Sequence, residues 1–176
     1  NDIKQTAVYT GSEGEEVIAN STEKYRSGGV KSYTVYDHLN KALTKVTVYN
    51  EEAAATRKVK SLSNYTGFEG DEKIQNTQTY YEGGAAKDYT SYTYTSGVLT
   101  GSTMFYGNST SGAQNTKQIA VYTGAEGAEV ILNSTEYYKG SGTTLGAVKS
   151  YTEYTYSGKS LRTSTVYTSS AKTQVK

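Results

Sequence analysis

The motif Tyr-Thr-Gly-x-Glu-Gly-x-Glu occurs three times and constrains the fold more than any other feature of the chain. Its copies begin at Tyr9, Tyr65 and Tyr122, so the spacing is 56 and then 57 residues. Self-similarity at a nearly fixed period is typical of repeat architectures, in which each unit completes its packing against its neighbours. The motif therefore predicts three tandem repeats, which we place at residues 1–58, 59–116 and 117–176.

Each repeat contains short runs rich in Thr, Tyr, Val and Ser, separated by glycine-bearing or polar turns, and the chain has no proline. Such runs are typical of β-strands, and short connections make neighbouring strands antiparallel. The pattern predicts four strands per repeat. The first strands are expected at residues 4–9, 60–65 and 117–122, and the second at 17–25, 73–81 and 130–138. The third strands begin at Lys31, Lys87 and Lys149, and the fourth begin at Leu43, Leu99 and Leu161.

Two connections vary between the repeats. Residues 50–58 contain two Glu and three Ala and are a candidate for one or two helical turns, whereas the matching stretch of the second repeat is rich in Gly, Ser and Asn. The turn between the second and third strands is longest in the third repeat. We expect both connections to lie on the surface, where loops tolerate insertions.

Tyrosine supplies much of the apolar surface. The chain has 19 Tyr, two Phe and no Trp, and apolar residues make up 35% of it. In the strand at 130–138, Val130 shares one side with Glu136 while Ile131 shares the other with Asn133, so both faces are mixed. We therefore predict an all-β fold of tandem antiparallel β-hairpin repeats, arranged as an elongated sandwich or a solenoid-like stack in which successive units cover each other's faces.

The ends of the sequence are in phase with the repeat. The chain starts at Asn1 and not at Met, which suggests a processed protein or a fragment, and residues 171–176 stop where a further first strand would begin. Uncapped repeats expose strand edges that template pairing with another chain. The expectation is a segment of a longer array, or a protein that polymerises end to end.

The hairpin of the third and fourth strands resembles the tyrosine-aspartate (YD) repeats of the RHS family, whose pattern is roughly Y-x-Y-D-x-x-G-x-L-T. The three copies read YTVYDHLNKALT, YTSYTYTSGVLT and YTEYTYSGKSLRT. They keep the Asp only at Asp37 and the Gly only at Gly97 and Gly158. The resemblance implies a strip of β-hairpins from a large secreted or surface protein whose repeats form shells or stalks.

Composition and charge argue against several classes of function. The net charge is +1 with both signs interspersed, which predicts no nucleic-acid binding. No apolar run reaches the length of a membrane helix, so no membrane insertion is expected, and the lack of Cys excludes disulfides and thiolate metal sites. The single histidine, His38, is expected in a solvated polar turn and offers no catalytic triad. We expect neither an enzyme nor a cofactor.

The repeated glutamates of the motif are candidate calcium ligands, because hard cations take carboxylate and turn carbonyl oxygens. The alternative is a solvated acidic turn that discourages edge pairing. The six glutamates are Glu13, Glu16, Glu69, Glu72, Glu126 and Glu129.

Four Asn-x-Ser/Thr sequons are candidate glycosylation sites in a secreted protein. They begin at Asn20, Asn64, Asn108 and Asn133.

The features together favour an extracellular or cell-surface structural protein: a filament, sheath or adhesin-stalk subunit that associates with itself through exposed edge strands and tyrosine-rich faces. Its expected partner is a further copy or the rest of a parent array. The alternative is a surface carbohydrate-binding module that uses tyrosine rings as platforms, with glycans as the partner.

Overall fold

The computed structural model describes residues 4–108 and 112–168 of the chain. In this part the chain forms twelve β-strands, each the neighbour of the next, in one open antiparallel sheet. The all-β prediction is confirmed, and the described part contains no helical segment longer than the 3-10 turn Ala113–Asn115. The strands are β1 (Gln5–Thr10), β2 (Val17–Lys24), β3 (Val30–Leu39), β4 (Ala42–Tyr49), β5 (Val59–Thr66), β6 (Lys73–Tyr80), β7 (Ala86–Thr95), β8 (Val98–Tyr106), β9 (Thr116–Thr123), β10 (Val130–Tyr137), β11 (Val148–Ser157) and β12 (Ser160–Tyr167).

The finer parts of the fold prediction are not confirmed. The strands follow each other in a single sheet, so the sandwich and the solenoid-like stack stay predictions, as does the division into three four-stranded units. The chain separates by its internal contacts into two compact units, Asn1–Lys87 and Asp88–Lys176.

In the first unit, each strand pairs with the next in a register that the second unit repeats. Val46 of β4 lies opposite Ser63 of β5, and Ser102 of β8 lies opposite Ala120 of β9 in the same way. The pairing of β1 with β2 contains a bulge between Val8 and Tyr9, and the equivalent pairs β5–β6 and β9–β10 are each bulged near the same place. The fourth strand of one predicted repeat therefore joins the first strand of the next through an ordinary strand pair.

The turn after each first strand has the same geometry in all three copies. Its first glycine has φ of 127°, 129° and 121° at Gly11, Gly67 and Gly124. A Cβ at Gly124 would lie 2.6 Å from the carbonyl oxygen of Ala128, which is far inside normal contact. The turn thus requires glycine there for both conformation and space.

The turn between β3 and β4 is a two-residue turn in which Asn40 and Lys41 both have positive φ, at 50° and 68°. This is the type I′ geometry that suits the twist of a hairpin. Because the turn is so short, β3 continues through Leu39 and includes His38. The prediction that His38 lies in the turn is wrong: it is a half-buried strand residue one position from the end of β3.

Few side chains of the sheet are fully covered. Ala120 is the one hydrophobic residue buried within the described ranges, with 4% of its surface exposed. The other buried residues are small or polar, such as Ser21, Thr47 and Ser134. The hydroxyls of Ser21 and Tyr36 lie 3.3 Å apart, so a tyrosine of the next strand lies over this buried serine. Ser21 is thus covered by a longer side chain of the neighbouring strand.

The variable connections lie between strands, as expected. Residues 50–58 form turns and no helix; the N–H groups of Thr56 and Arg57 both donate to the carbonyl of Ala53. The long loop after β10 forms an isolated bridge between Ser141 and Thr144. These loops leave the strand registers unchanged, so the insertions are absorbed outside the sheet.

Candidate association site

A glutamate of the repeated motif bonds to the backbone two strands away. The Oε1 atom of Glu72, next to the start of β6, accepts a hydrogen bond from the backbone N–H of Leu43 in β4 at 3.0 Å. Its Oε2 atom accepts one from the N–H of Gly70 at 3.0 Å. The side chain therefore spans the end of β5 and ties three consecutive strands together.

The second unit contains the same contact. The Oε1 atom of Glu129 accepts a hydrogen bond from the backbone N–H of Leu99 at 3.1 Å. The backbone bonds from Leu43 and Leu99 hold the pKa of Glu72 and of Glu129 below the ordinary value of 4.5. We call this contact, between the last glutamate of the motif and the first leucine of the preceding fourth strand, the glutamate hook.

In the first unit, a charged contact lies near the hook, at the same end of the strands. The Nζ atom of Lys41, in the β3–β4 turn, lies 3.0 Å from a carboxylate oxygen of Glu15. The hydrogen bond to Glu15 raises the pKa of Lys41, and the charges of Glu15 and Glu69 raise it further. Lys41 thus interacts with the acidic turn before it and with the acidic turn after it, at the same end of the strands. Its backbone has a left-handed conformation that is uncommon for a residue other than glycine.

The matching position in the second unit is Gly97. A Cβ there would lie 3.1 Å from Oε1 of Glu126, the counterpart of Glu69, so this carboxylate packs directly against the turn. In the second unit, the first glutamate of the motif thus lies against the second residue of the preceding two-residue turn. In the first unit, the charge of the matching Glu69 acts on Lys41 at the same turn position. The hook and this neighbouring contact together form the joint between one fourth strand and the next first and second strands.

The first copy of the motif has no such joint. Glu16 corresponds to Glu72 and Glu129, but β1 is the first strand of the sheet and no described strand lies on its far side. Glu16 is exposed and has no backbone donor from a preceding strand among the described residues. All residues of β1 are exposed, and so are the first five of β12.

Aromatic pairs recur across the hairpins of the third and fourth strands. The ring centroids lie 6.2–6.5 Å apart in tilted pairs, a preferred arrangement of aromatic rings. The pairs are Tyr33–Tyr49, Tyr89–Phe105 and Tyr151–Tyr167. In the first pair, the guanidinium of Arg57 lies 4.3 Å from the Tyr49 ring centre and 5.8 Å from that of Tyr33. These rings pack against each other within the sheet, as the tyrosine composition led us to expect.

Ion pairs also cross the strands. Lys117 of β9 reaches over β8 to Asp88 of β7, with Nζ 2.7 Å from Oδ1, and the Asp88 side chain is 10% exposed. The pair of Lys45 with Asp37 has the same length but is more than 40% exposed on both sides. Only the first of these pairs is shielded enough to contribute strongly to stability.

Three equivalent tyrosines at the opposite end of the strands are exposed to similar extents. They follow the second strands, immediately before the turns to β3, β7 and β11: Tyr25 at 55%, Tyr81 at 55% and Tyr138 at 57%. Each backbone N–H closes the turn by donating to the residue before the next strand. This hydrogen bond places the backbone of each tyrosine at the same point of its turn.

The glutamates proposed as calcium ligands are found in the turns where they were predicted. Glu72 and Glu129 accept backbone N–H groups, which is a structural use of the carboxylate. Within residues 4–108 and 112–168, no group of three or more acidic, His or Cys side chains is placed to hold a metal ion. The calcium hypothesis stays a prediction with no arrangement of ligands in its favour.

The sequons differ in their setting. Asn20, Asn64 and Asn133 are half-buried strand residues, and the amide of Asn64 donates to Asn76 at 2.8 Å. Asn108 is exposed just after β8, while the rest of its sequon lies outside the described residues. Asn108 is therefore the most accessible of the four candidate glycosylation sites.

Sequence reasoning missed both the glutamate hook and the shielded Asp88–Lys117 pair. A signal for the hook was present: the last glutamate of the motif follows the first leucine of the preceding fourth strand by 29 residues at Leu43 and Glu72, and by 30 at Leu99 and Glu129. The donor, however, is a backbone N–H, which residue identity does not reveal.

No protein-family model matches this chain, and no curated protein matches its sequence. None of the helical residues that the structure describes forms a segment long and apolar enough to cross a membrane.

Proposed function

We propose that this protein is an extracellular or cell-surface structural repeat protein that associates with itself, as a filament, sheath or adhesin-stalk subunit does. The three four-stranded repeats are its building units, and strand pairing between fourth and first strands is its mode of growth. The observation that carries the proposal is the exposed first strand: β1 has the motif of an internal first strand, but it has a strand neighbour on one side only.

The composition of the surface supports association. Within the described ranges Ala120 is the one buried hydrophobic residue, whereas large side chains such as Tyr9, Phe68 and Leu161 are exposed by 62%, 85% and 55%. Sheet faces with tyrosine rings and so few buried apolar residues gain from being covered, and face-to-face packing of two copies is one way to form the sandwich that the sequence predicts.

Edge pairing is tested by comparing two equivalent valines. Val8 is in the edge strand β1, and Val121 occupies the matching place in β9, which has a partner on each side. We expect the wild type to associate as the protein concentration rises, and Val8→Lys to abolish this association, because a charge on an edge strand blocks strand addition. Val121→Lys should leave association in place in any protein that stays folded by circular dichroism. Light scattering and electron microscopy provide the measurement, and a strictly monomeric wild type at millimolar concentration would rule the proposal out.

Carbohydrate binding is the second candidate, and the repeated exposure of Tyr25, Tyr81 and Tyr138 favours it. Exposed rings at a repeated position suit stacking on sugar faces. A glycan array tests this with the triple Tyr→Ala variant at these positions. Tyr9→Ala is the control, because Tyr9 is also more than half exposed but lies in β1. Specific binding that only the triple variant loses would favour the binding module; no binding by the wild type would exclude it.

A further inference from the structure

We propose that the open glutamate hook of β1 takes the fourth strand of a second copy, so that β12 of one molecule pairs with β1 of the next in a single defined register. This inference rests on the proposed self-association and specifies its partner and geometry. The joint would have the same arrangement as the two joints within the chain, β4 with β5 and β8 with β9. A second copy fits this place because its β12 has the features of β4 and β8, the strands that pair with first strands at the two internal joints.

The hook supplies the first contact. Within the chain, Glu72 binds the N–H of Leu43, and Glu129 binds the N–H of Leu99. Leu161 is the second residue of β12, as Leu43 and Leu99 are of β4 and β8, and it is exposed. Its N–H is the equivalent donor for Glu16 of a second molecule.

Charge supplies the second contact. In the second unit, the second residue of the two-residue turn, Gly97, packs against Glu126, the first glutamate of the following motif: a Cβ there would lie 3.1 Å from Oε1. The matching residues of the first unit are Lys41 and Glu69, which carry opposite charges. At the end of the described sheet this turn residue is Lys159, and the free counterpart of Glu69 is Glu13. A lysine of one copy would therefore meet a glutamate of the other at the place where the chain already sets a lysine near a glutamate.

The registers of the two internal joints predict the register in which β12 of one molecule pairs with β1 of the next. Val46 lies opposite Ser63 and Ser102 lies opposite Ala120 in the two internal joints. The repeat maps these pairs onto Ser164 of β12 and Ala7 of β1. A shift by one residue would turn every side chain of the incoming strand to the other face, so this register is testable.

Disulfide trapping tests the register, and the chain contains no cysteine that would interfere. Directly opposed residues of antiparallel strands have Cα atoms about 4.5–5.5 Å apart, which a disulfide can span. Mixing the single variants Ala7→Cys and Ser164→Cys should give a cross-linked dimer under mild oxidation. The matched control replaces Ser164→Cys with Thr165→Cys, whose side chain points to the opposite face and should give no dimer.

Two sets of substitutions test the contacts. Glu16→Ala removes the hook acceptor and should weaken association by about tenfold, the usual effect of losing a hydrogen bond to a charged group. Glu15→Ala is the control, because Glu15 binds Lys41 within its own molecule. Lys159→Glu should also weaken association, and adding Glu13→Lys to the same chain should restore it, which a general loss of folding would not allow.

The outcomes separate this inference from the proposed function. Cross-linking at the predicted pair together with the Glu16→Ala effect would support both. Association that continues without the cross-link and ignores Glu16→Ala would overturn the joint while leaving a self-associating protein. A wild type that stays monomeric would overturn both.

Discussion

The first glycine of the repeated turn should be far less replaceable than the second. Gly124 and Gly127 lie in the same turn of the third motif, three residues apart, and both have positive φ, at 121° and 72°. They differ in space: a Cβ at Gly124 would lie 2.6 Å from the Ala128 carbonyl oxygen, whereas a Cβ at Gly127 would have nothing within 4 Å. Replacing each by alanine therefore compares close approach with backbone conformation alone.

The expected losses of unfolding free energy follow from these two contributions, backbone conformation and close approach. Alanine in the ordinary left-handed region costs about 1 kcal/mol, which is the expected effect of Gly127→Ala. At Gly124 the conformation is less accessible to alanine, at about 1–3 kcal/mol, and the turn must also open to relieve the contact. We expect a total of about 2–4 kcal/mol for Gly124→Ala. For a chain of this size, the melting temperature should fall by about 5–15 °C for Gly124→Ala and by about 2–4 °C for Gly127→Ala.

Urea unfolding followed by tyrosine fluorescence and circular dichroism measures both variants. Gly11→Ala adds a second comparison, because a Cβ at Gly11 would lie 2.6 Å from the Glu15 carbonyl but its turn belongs to the edge strand β1. Its loss of global stability should be smaller, since β1 can fray without opening the strands beyond β2. Equal costs at Gly124 and Gly127 would show that close approach is not what the first glycine provides.

Three further predictions concern the charged contacts. Asp88→Asn should lower the free energy of unfolding by about 1–3 kcal/mol because it weakens a shielded ion pair, whereas Asp37→Asn, in an exposed pair, should cost under about 1 kcal/mol; urea unfolding at low and high salt measures both. Because the folded pKa of Glu72 and of Glu129 is lowered, their contribution is complete above pH 4.5 and is lost as pH falls below it. The double Glu→Gln variant should therefore show a shallower fall of the urea midpoint between pH 5 and pH 3 than the wild type, and an unchanged slope would contradict the hook. Arg57→Gln should cost about 0.5–1 kcal/mol through the lost cation–π contact, with the same unfolding assay, and no effect would show that solvent screens it.

The positions of the strands could be predicted from the sequence because the turns are marked by residue type. Glycines at fixed offsets end every first strand, and strand-forming residues fill the intervals between them. The observed bounds of β5, Val59–Thr66, extend the predicted 60–65 by one residue at each end. The error at His38 arose where the turn lacks glycine: Asn40 and Lys41 form a two-residue turn with positive φ, and the polar residues around them concealed how short it is.

The number of layers could not be predicted in the same way. Alternation along a strand shows which residues share a face, but it does not show what covers that face. In this chain both faces mix aromatic and polar residues, so the pattern fits one open sheet and two packed sheets equally well. The hook escaped prediction for a related reason, because its donor is a main-chain group that every residue except proline has.

The pairing between predicted repeats is of the same kind as the pairing within them, and this bears on how the protein gains stability. β4 pairs with β5, and β8 with β9, through bulged antiparallel registers like those inside each repeat, and each of these seams also carries a glutamate hook. A seam thus has the same kind of strand pairing as the hairpins on either side of it. In a sheet with so few buried apolar residues, each added strand contributes mainly through its own pairing and the side chains that it helps to cover, as in other repeat proteins whose stability is a sum of unit and nearest-neighbour terms. If the proposed joint forms, adding a strand to β1 should therefore supply a contribution like that of an internal seam.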